Sequence, residues 1–217
     1  MKNIPFFILL LLVFGACNSD DNADEINEEI EENFFALKVG NTWTYNYFSR
    51  VGQTEEFENL GAVDQVTILS KTEINGETYF EMQTTTILGD QFCTVCPDEG
   101  VANRMVRDSL GYLIDTEGVI IFSSQDVDTD YLILEFEQYD IFGKLLLESE
   151  LISVEAGNFE CLKNEVFAVF EADGSISQGR DYIYFADGVG QTLRKYSGVM
   201  NPQHRWEKRL MNFTISE

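Results

Sequence analysis

From residue 34 onward, apolar side chains recur every second position. Trp43, Tyr45 and Tyr47 alternate with Thr42, Thr44 and Asn46, while 131–136 and 166–170 are runs of β-branched and aromatic residues of strand length. Side chains two apart leave a strand on the same face, so this spacing builds sheets with one face turned inward. Asn75-Gly76 separates a strand over 66–74 from one over 77–87, and both turn residues tolerate the positive φ that a tight hairpin needs. Asp173-Gly174 plays the same part between 166–170 and 180–185, and Gly157-Asn158 is expected to turn the chain between 144–154 and 159–170. Further strands over 103–108, 112–123, 191–197 and 204–215 bring the expectation to roughly ten strands. No segment carries a long amphipathic helical stripe. The fold class expected is mainly β, a curved antiparallel sheet or incomplete barrel forming one domain over 34–217.

The first 33 residues break this pattern. Lys2 precedes an apolar run over 4–13, too short to span a bilayer at about 20 residues per crossing, and the run leads into Phe14-Gly15-Ala16-Cys17. This junction resembles a bacterial lipobox. The resemblance implies a signal peptide over 1–16, removed before Cys17, with lipid joined to the Cys17 thiol and amine. Two or more acyl chains give stable attachment where one gives a marginal hold. Asn18-Ser19-Asp20-Asp21 follows, and Ser19, Asp20 and Asp21 resemble the export signal that sends lipoproteins of the Bacteroidota to the outer face of the outer membrane. The periplasmic face is the alternative. Between Asp20 and Glu32 stand eight acidic residues and no Lys or Arg. Such a run repels itself and resists folding, so 17–33 reads as a lipidated cysteine and disordered acidic tether reaching about 50 Å when extended.

Charge narrows the partners. With 14 Lys plus Arg against 38 Asp plus Glu, the net charge is −24, so nucleic acid and anionic lipid surfaces meet general repulsion. Arg194, Lys195, Arg205, Lys208 and Arg209 nonetheless gather near the C-terminus, where they are expected to offset acidic neighbours across strands rather than to form an anion site.

Three blocks, Phe35 to Tyr45, Val154 to Leu162 and Tyr182 to Gly190, resemble a set recurring in uncharacterised bacterial lipoproteins. These are similar in architecture to the lipoprotein carriers LolA and LolB, which implies a curved sheet around an apolar concave face and transfers no catalytic residue. Within the blocks, Gly40 reads as an entry turn, Trp43 as a buried ring whose N–H needs an acceptor, and Gly188-Val189-Gly190 as a bulge or turn. That glycine pair has neither a P-loop lysine nor a following helix, so it is not read as a phosphate cradle.

Candidate chemistry is sparse. Cys93 and Cys96 lie in a loop without the strand-to-helix setting of a thioredoxin motif, and outside the cytoplasm they read as a local disulfide, with metal binding or redox exchange as alternatives. Cys161 is expected to be a small buried apolar residue, and His204, the one histidine, to face solvent or cap a strand edge. Asp126, Asp128 and Asp130, with Glu137, have the acidic spacing of a calcium loop, yet Tyr131 stands where the EF-hand turn needs glycine. They are calcium candidates, against a solvated acidic turn. No catalytic constellation emerges, and no cofactor is expected beyond the covalent lipid and the possible calcium.

Two functions follow as expectations. The first is a surface-displayed binding or accessory module recognising a protein or glycan through loops 89–102 and 124–130. The second is a carrier or sensor that holds an apolar ligand against the concave face, with Trp43, Tyr45, Tyr47, Phe80, Phe136, Phe167 and Tyr184 supplying aromatic surface.

Overall fold

A computed structural model describes residues 33–216, so Cys17, Ser19, Asp20, Asp21, the leader and the tether lie outside the described residues. Thirteen strands and no helix make up the described chain. In order they are β1 (Thr42–Arg50), β2 (Phe57–Ile74), β3 (Glu77–Ile87), β4 (Gly100–Ser109), β5 (Tyr112–Asp115), β6 (Ile120–Ser123) and β7 (Asp130–Glu135), followed by β8 (Tyr139–Leu145), β9 (Glu150–Val154), β10 (Gly157–Phe170), β11 (Asp181–Ala186), β12 (Gly190–Gly198) and β13 (Asn201–Thr214). All pair antiparallel in a single sheet ordered β6-β5-β4-β3-β2-β1-β13-β12-β11-β10-β8-β7, with β9 also on β10. The sheet curls so that its end strands, β6 and β7, approach one another without pairing.

Turn chemistry explains most of this meander. Asn75 (φ +54°) and Gly76 (φ +85°) close the β2–β3 hairpin, as their tolerance of positive φ requires. The expected strand over 112–123 is instead a hairpin: the Asp115 carboxylate accepts the N–H groups of Glu117 (3.0 Å) and Val119 (2.9 Å), mimicking a backbone turn in the middle of an apolar run. The turn expected at Gly157-Asn158 falls on Glu155-Ala156, because Val154 already pairs with Gly157. A strand over 139–145 escapes the apolar pattern; it continues into β9 as one interrupted strand beside β10. Leu145 faces Asn164 and Glu150 faces Cys161, so four residues on one side lie opposite two on the other. This is a bulge, and it leaves Leu147 74% exposed.

The inner face carries the main core: Trp43 and Tyr45 from β1, Val66 and Ile68 from β2, Val106 from β4, Phe122 from β6, Ile183 and Phe185 from β11, and Leu210 from β13. One end is filled by the chain that enters the domain. Phe34 and Phe35 pack against Phe122, and Phe35 also against Phe185, with ring centroids 5.9–6.2 Å apart. Buried Asn41 fixes this segment, donating to the Ala36 carbonyl (2.7 Å) and accepting the Ser216 N–H (2.7 Å). Trp43 finds the acceptor its indole needs in the Val189 carbonyl, 2.6 Å away, within the turn formed by Asp187, Gly188 and Val189 that leads into β12.

A buried amide joins the sheet's two ends. Asn164 on β10 is fully buried; it donates to the Ser123 carbonyl (2.8 Å) and accepts the Ser123 N–H (3.1 Å) at the end of β6. The Tyr131 hydroxyl of β7 donates to the same Asn164 oxygen at 2.5 Å. The side-chain amide thus does for the edge strands what a neighbouring peptide group would do. Gly143 makes room for it, since a Cβ there would lie 2.3 Å from the Tyr131 ring.

Candidate functional site

The interior is not completely filled. Beneath the Phe35–Leu37 segment lies a cavity of about 150 Å³ lined by Trp43, Val66, Met82, Val106, Leu113 and Phe185, with Arg104 and Lys208 also on its wall. Met82, Thr84, Arg104 and Lys208 also border a wider, solvent-open cleft of about 610 Å³, with the exposed residues 97–103 along its other side. A third, of about 250 Å³, lies where β6 meets β7 and β8, and Arg104 lines it as well. One arginine therefore stands at the junction of all three spaces.

The loop over 88–99 borders the wide cleft. Cys93 and Cys96 are joined by a disulfide, and they pack, as Val95 and Trp206 do, against Tyr47, Leu60 and Ala62. Leu60 and Ala62 continue the alternation of Asp64, Val66 and Ile68, so the loop covers the inner face at the end away from Phe35. Gly89 allows the close approach, because a Cβ there would sit 2.3 Å from the Leu60 carbonyl oxygen.

Charge inside the sheet is paired but crowded. Asp64 is fully buried and accepts from the Tyr47 hydroxyl (2.7 Å), the Thr86 hydroxyl (2.8 Å) and the Lys208 ammonium (2.5 Å). Lys208 lies between the rings of Tyr45 and Tyr47, 4.7 and 5.4 Å from their centroids. Burial pushes its ammonium below the usual lysine range, and Asp64 works against that shift. Burial likewise drives both tyrosine hydroxyls well above their ordinary range, so they stay protonated donors. Burial opposes the ionised form of Asp115, but hydrogen bonds from Arg104, Val119 and Glu117 outweigh it and hold the carboxyl below its ordinary value. Asp181 has weaker support, and burial raises its carboxyl.

The C-terminal cations divide between two roles. Lys195 lies opposite Glu207, as cross-strand compensation predicts, while Arg209 pairs with Glu207 along its own strand (2.7 Å). Lys208 also meets the expectation through Asp64 on β2 (2.5 Å), and Arg194 meets it only loosely, although these two cations face each other across β12 and β13 and line the spaces described above. Arg194 reaches Asp181 only at 3.9 Å, and its Nε is buried without a hydrogen-bond partner.

The remaining candidates serve elsewhere. Asp126 accepts a hydrogen bond from Tyr112, Asp130 pairs with Lys144 (2.8 Å), and no group of three or more His, Cys, Asp or Glu that could hold a metal ion occurs among the described residues. Asp126 and Asp128 both take positive φ, which marks a turn. Cys161 is buried with Sγ 3.1 Å from the Thr192 hydroxyl, and burial raises its thiol, leaving it inert. His204 is half-buried, with Nε2 2.9 Å from the Arg180 carbonyl, and burial lowers its imidazole. Of the aromatics expected on the concave face, Trp43, Tyr45 and Phe80 belong to the main core, whereas Tyr184 lies in a second cluster with Cys161 and Ile152. Phe167 stacks on Phe142 and Phe136 on Tyr139. The cations bordering these spaces were not legible as a set, since Arg104 and Lys208 are far apart in sequence and only the sheet order brings them together.

No family model and no curated protein matches the chain. Two solved structures are similar in fold. One, from Bacteroides fragilis, is described as an exported protein with a YmcC-like fold; it has 12% identity and a TM-score of 0.57 over 83% of this chain and 98% of that one. The other, described as a lipoprotein from Parabacteroides distasonis, has 11% identity and a TM-score of 0.54 over the same shares. Neither comparison shows the expected likeness to LolA and LolB. At this identity the similarity establishes a shared architecture: the described domain has the curved antiparallel sheet of a YmcC-like fold.

Proposed function

We propose that the protein is a non-catalytic binding module, anchored to the outer membrane by lipid on Cys17, that takes an apolar or amphiphilic small molecule into its incomplete barrel. One observation carries the ligand reading: two spaces with largely apolar walls, of about 150 and 250 Å³, meet beside a wider, more polar cleft at Arg104, whose side chain is half-exposed at their mouth. Pockets of this kind, apolar with a few convergent polar groups, are where small ligands dock. Their size favours a sensor or binder over a bulk lipid carrier, because the core and the Phe34–Leu37 segment occupy much of the concave face. Recognition of a protein or glycan through loops 89–102 and 124–130 receives less support, since the first loop is folded onto the inner face.

Support for the anchor is the lipobox at Cys17, and the exported and lipoprotein descriptions of the two fold neighbours agree with it. Ser19, Asp20 and Asp21 favour the outward leaflet. The acidic tether would then hold the domain clear of the headgroups.

A neutral fluorescent probe, N-phenyl-1-naphthylamine, tests the ligand reading. The expected result is saturable enhancement at one probe per chain, lost in Met82→Trp, which fills the space between the deep and wide cavities. No enhancement, or enhancement unchanged by that substitution in a folded variant, overturns it.

A further inference from the structure

The cavity at the seam of the sheet has a composition unlike the other two. Ile120 and Ile121 of β6 face Ile133 of β7 and Ile141 of β8, with Val166 and Ile183 behind them. The only charged side chains on its wall are Arg104 and Arg194, and no carboxylate lines it. Aliphatic walls without aromatic rings suit a flexible alkyl chain. At about 250 Å³ the space exceeds the roughly 150 Å³ apolar cavity that takes up benzene, so it admits a medium-length chain.

The two arginines supply the head. Asp115 engages Nε (3.1 Å) and Nη2 (2.6 Å) of Arg104, leaving Nη1 outside that pair. Arg194 is freer still: its Nε is buried without a partner, and its approach to Asp181, 3.9 Å, is beyond hydrogen-bond length. Lys208, opposite Arg194 on the neighbouring strand, is already paired with Asp64 at 2.5 Å and so offers Arg194 no counter-ion. An anion here satisfies the guanidinium, whose fork of N–H donors fits a carboxylate.

We infer that the seam cavity binds a single-chain alkyl carboxylate, its head at Arg194 and Arg104 and its tail among the isoleucines between β6, β7 and β8. This rests on the reading of the barrel interior as a ligand site and names the ligand class. The bonds that join β6 and β7 through Asn164 also place the site beside a boundary of the sheet that is not a strand pair, where the chain can enter sideways.

The test uses the mature chain from residue 17 with Cys17→Ser, so that no detergent competes, titrated calorimetrically with decanoate, 1-decanol and acetate. Decanoate is expected to bind at one per chain and acetate not at all. Arg194→Gln should weaken decanoate by about tenfold or more, as loss of a charge-assisted bond implies, with 1-decanol changed less than about twofold. Ile133→Trp should abolish both. Thermal melting confirms that each variant is folded, and Arg194→Lys is expected to restore part of the decanoate affinity. Decanoate and 1-decanol binding equally, with Arg194→Gln without effect, overturns the anionic head; acetate binding as tightly as decanoate overturns the tail. If neither long-chain probe binds while N-phenyl-1-naphthylamine still does, the seam proposal fails alone. Failure of that dye as well takes the underlying reading with it.

Discussion

Asn164→Leu is expected to lower the stability of the domain by about 4 kcal/mol, because three buried polar groups lose their partner at roughly 1–3 kcal/mol each. The groups are the Ser123 N–H, the Ser123 carbonyl and the Tyr131 hydroxyl. Leucine keeps asparagine's branching and heavy-atom count, so none of the loss comes from an empty space. At roughly 2–4 °C per kcal/mol for a domain of this size, the melting temperature should fall by about 10 °C. The damage is local in origin: hydrogen exchange of the β6 and β7 amides should quicken well before that of β1, β2 and β13, which are paired on both sides. Gly143→Ala should reproduce part of the effect, since the new methyl displaces the Tyr131 ring from its place beside Asn164. A loss under about 1 kcal/mol with an unchanged exchange pattern would mean that the amide does not hold the seam.

Asp64→Leu is expected to cost about 3–5 kcal/mol, the usual consequence of stranding one charge of a buried pair. Lys208 would keep its ammonium between two tyrosine rings with no anion, and the hydroxyls of Tyr47 and Thr86 would lose their acceptor. Desolvation of both charges offsets much of their attraction, so the pair itself contributes little net stability. The double variant Asp64→Leu with Lys208→Met should therefore recover at least half of the loss in a urea melt, with a coupling above about 1 kcal/mol. A double variant as unstable as the sum of the two single ones contradicts this description of the interior.

Strand content was legible because alternation and turn residues are local signals. The Trp43-Tyr45-Tyr47 face and the Asn75-Gly76 hairpin show this most plainly. Boundaries failed where a side chain altered the turn: Asp115 split an apolar run that periodicity alone joins, and the bulge before Glu150 hid the separation of β8 from β9. The site was less legible for a different reason. Arg194 and Lys208 are conspicuous as part of a basic cluster, but whether a strand cation points at a neighbouring carboxylate or into the barrel depends on register, and one residue of slip reverses it. Asn164 gives no sequence signal at all; its role exists only because the sheet curls until its ends meet.

Native mass spectrometry of the full-length protein isolated from membranes of its own cells tests the central claim, that a lipid-anchored barrel holds a small apolar-tailed molecule in its interior. The account predicts a polypeptide mass beginning at a lipid-modified Cys17 together with a noncovalent alkyl carboxylate that is absent from the Met82→Trp, Ile133→Trp double variant. An unmodified N-terminus with an empty domain, or an adduct that persists when both cavities are filled, would contradict it.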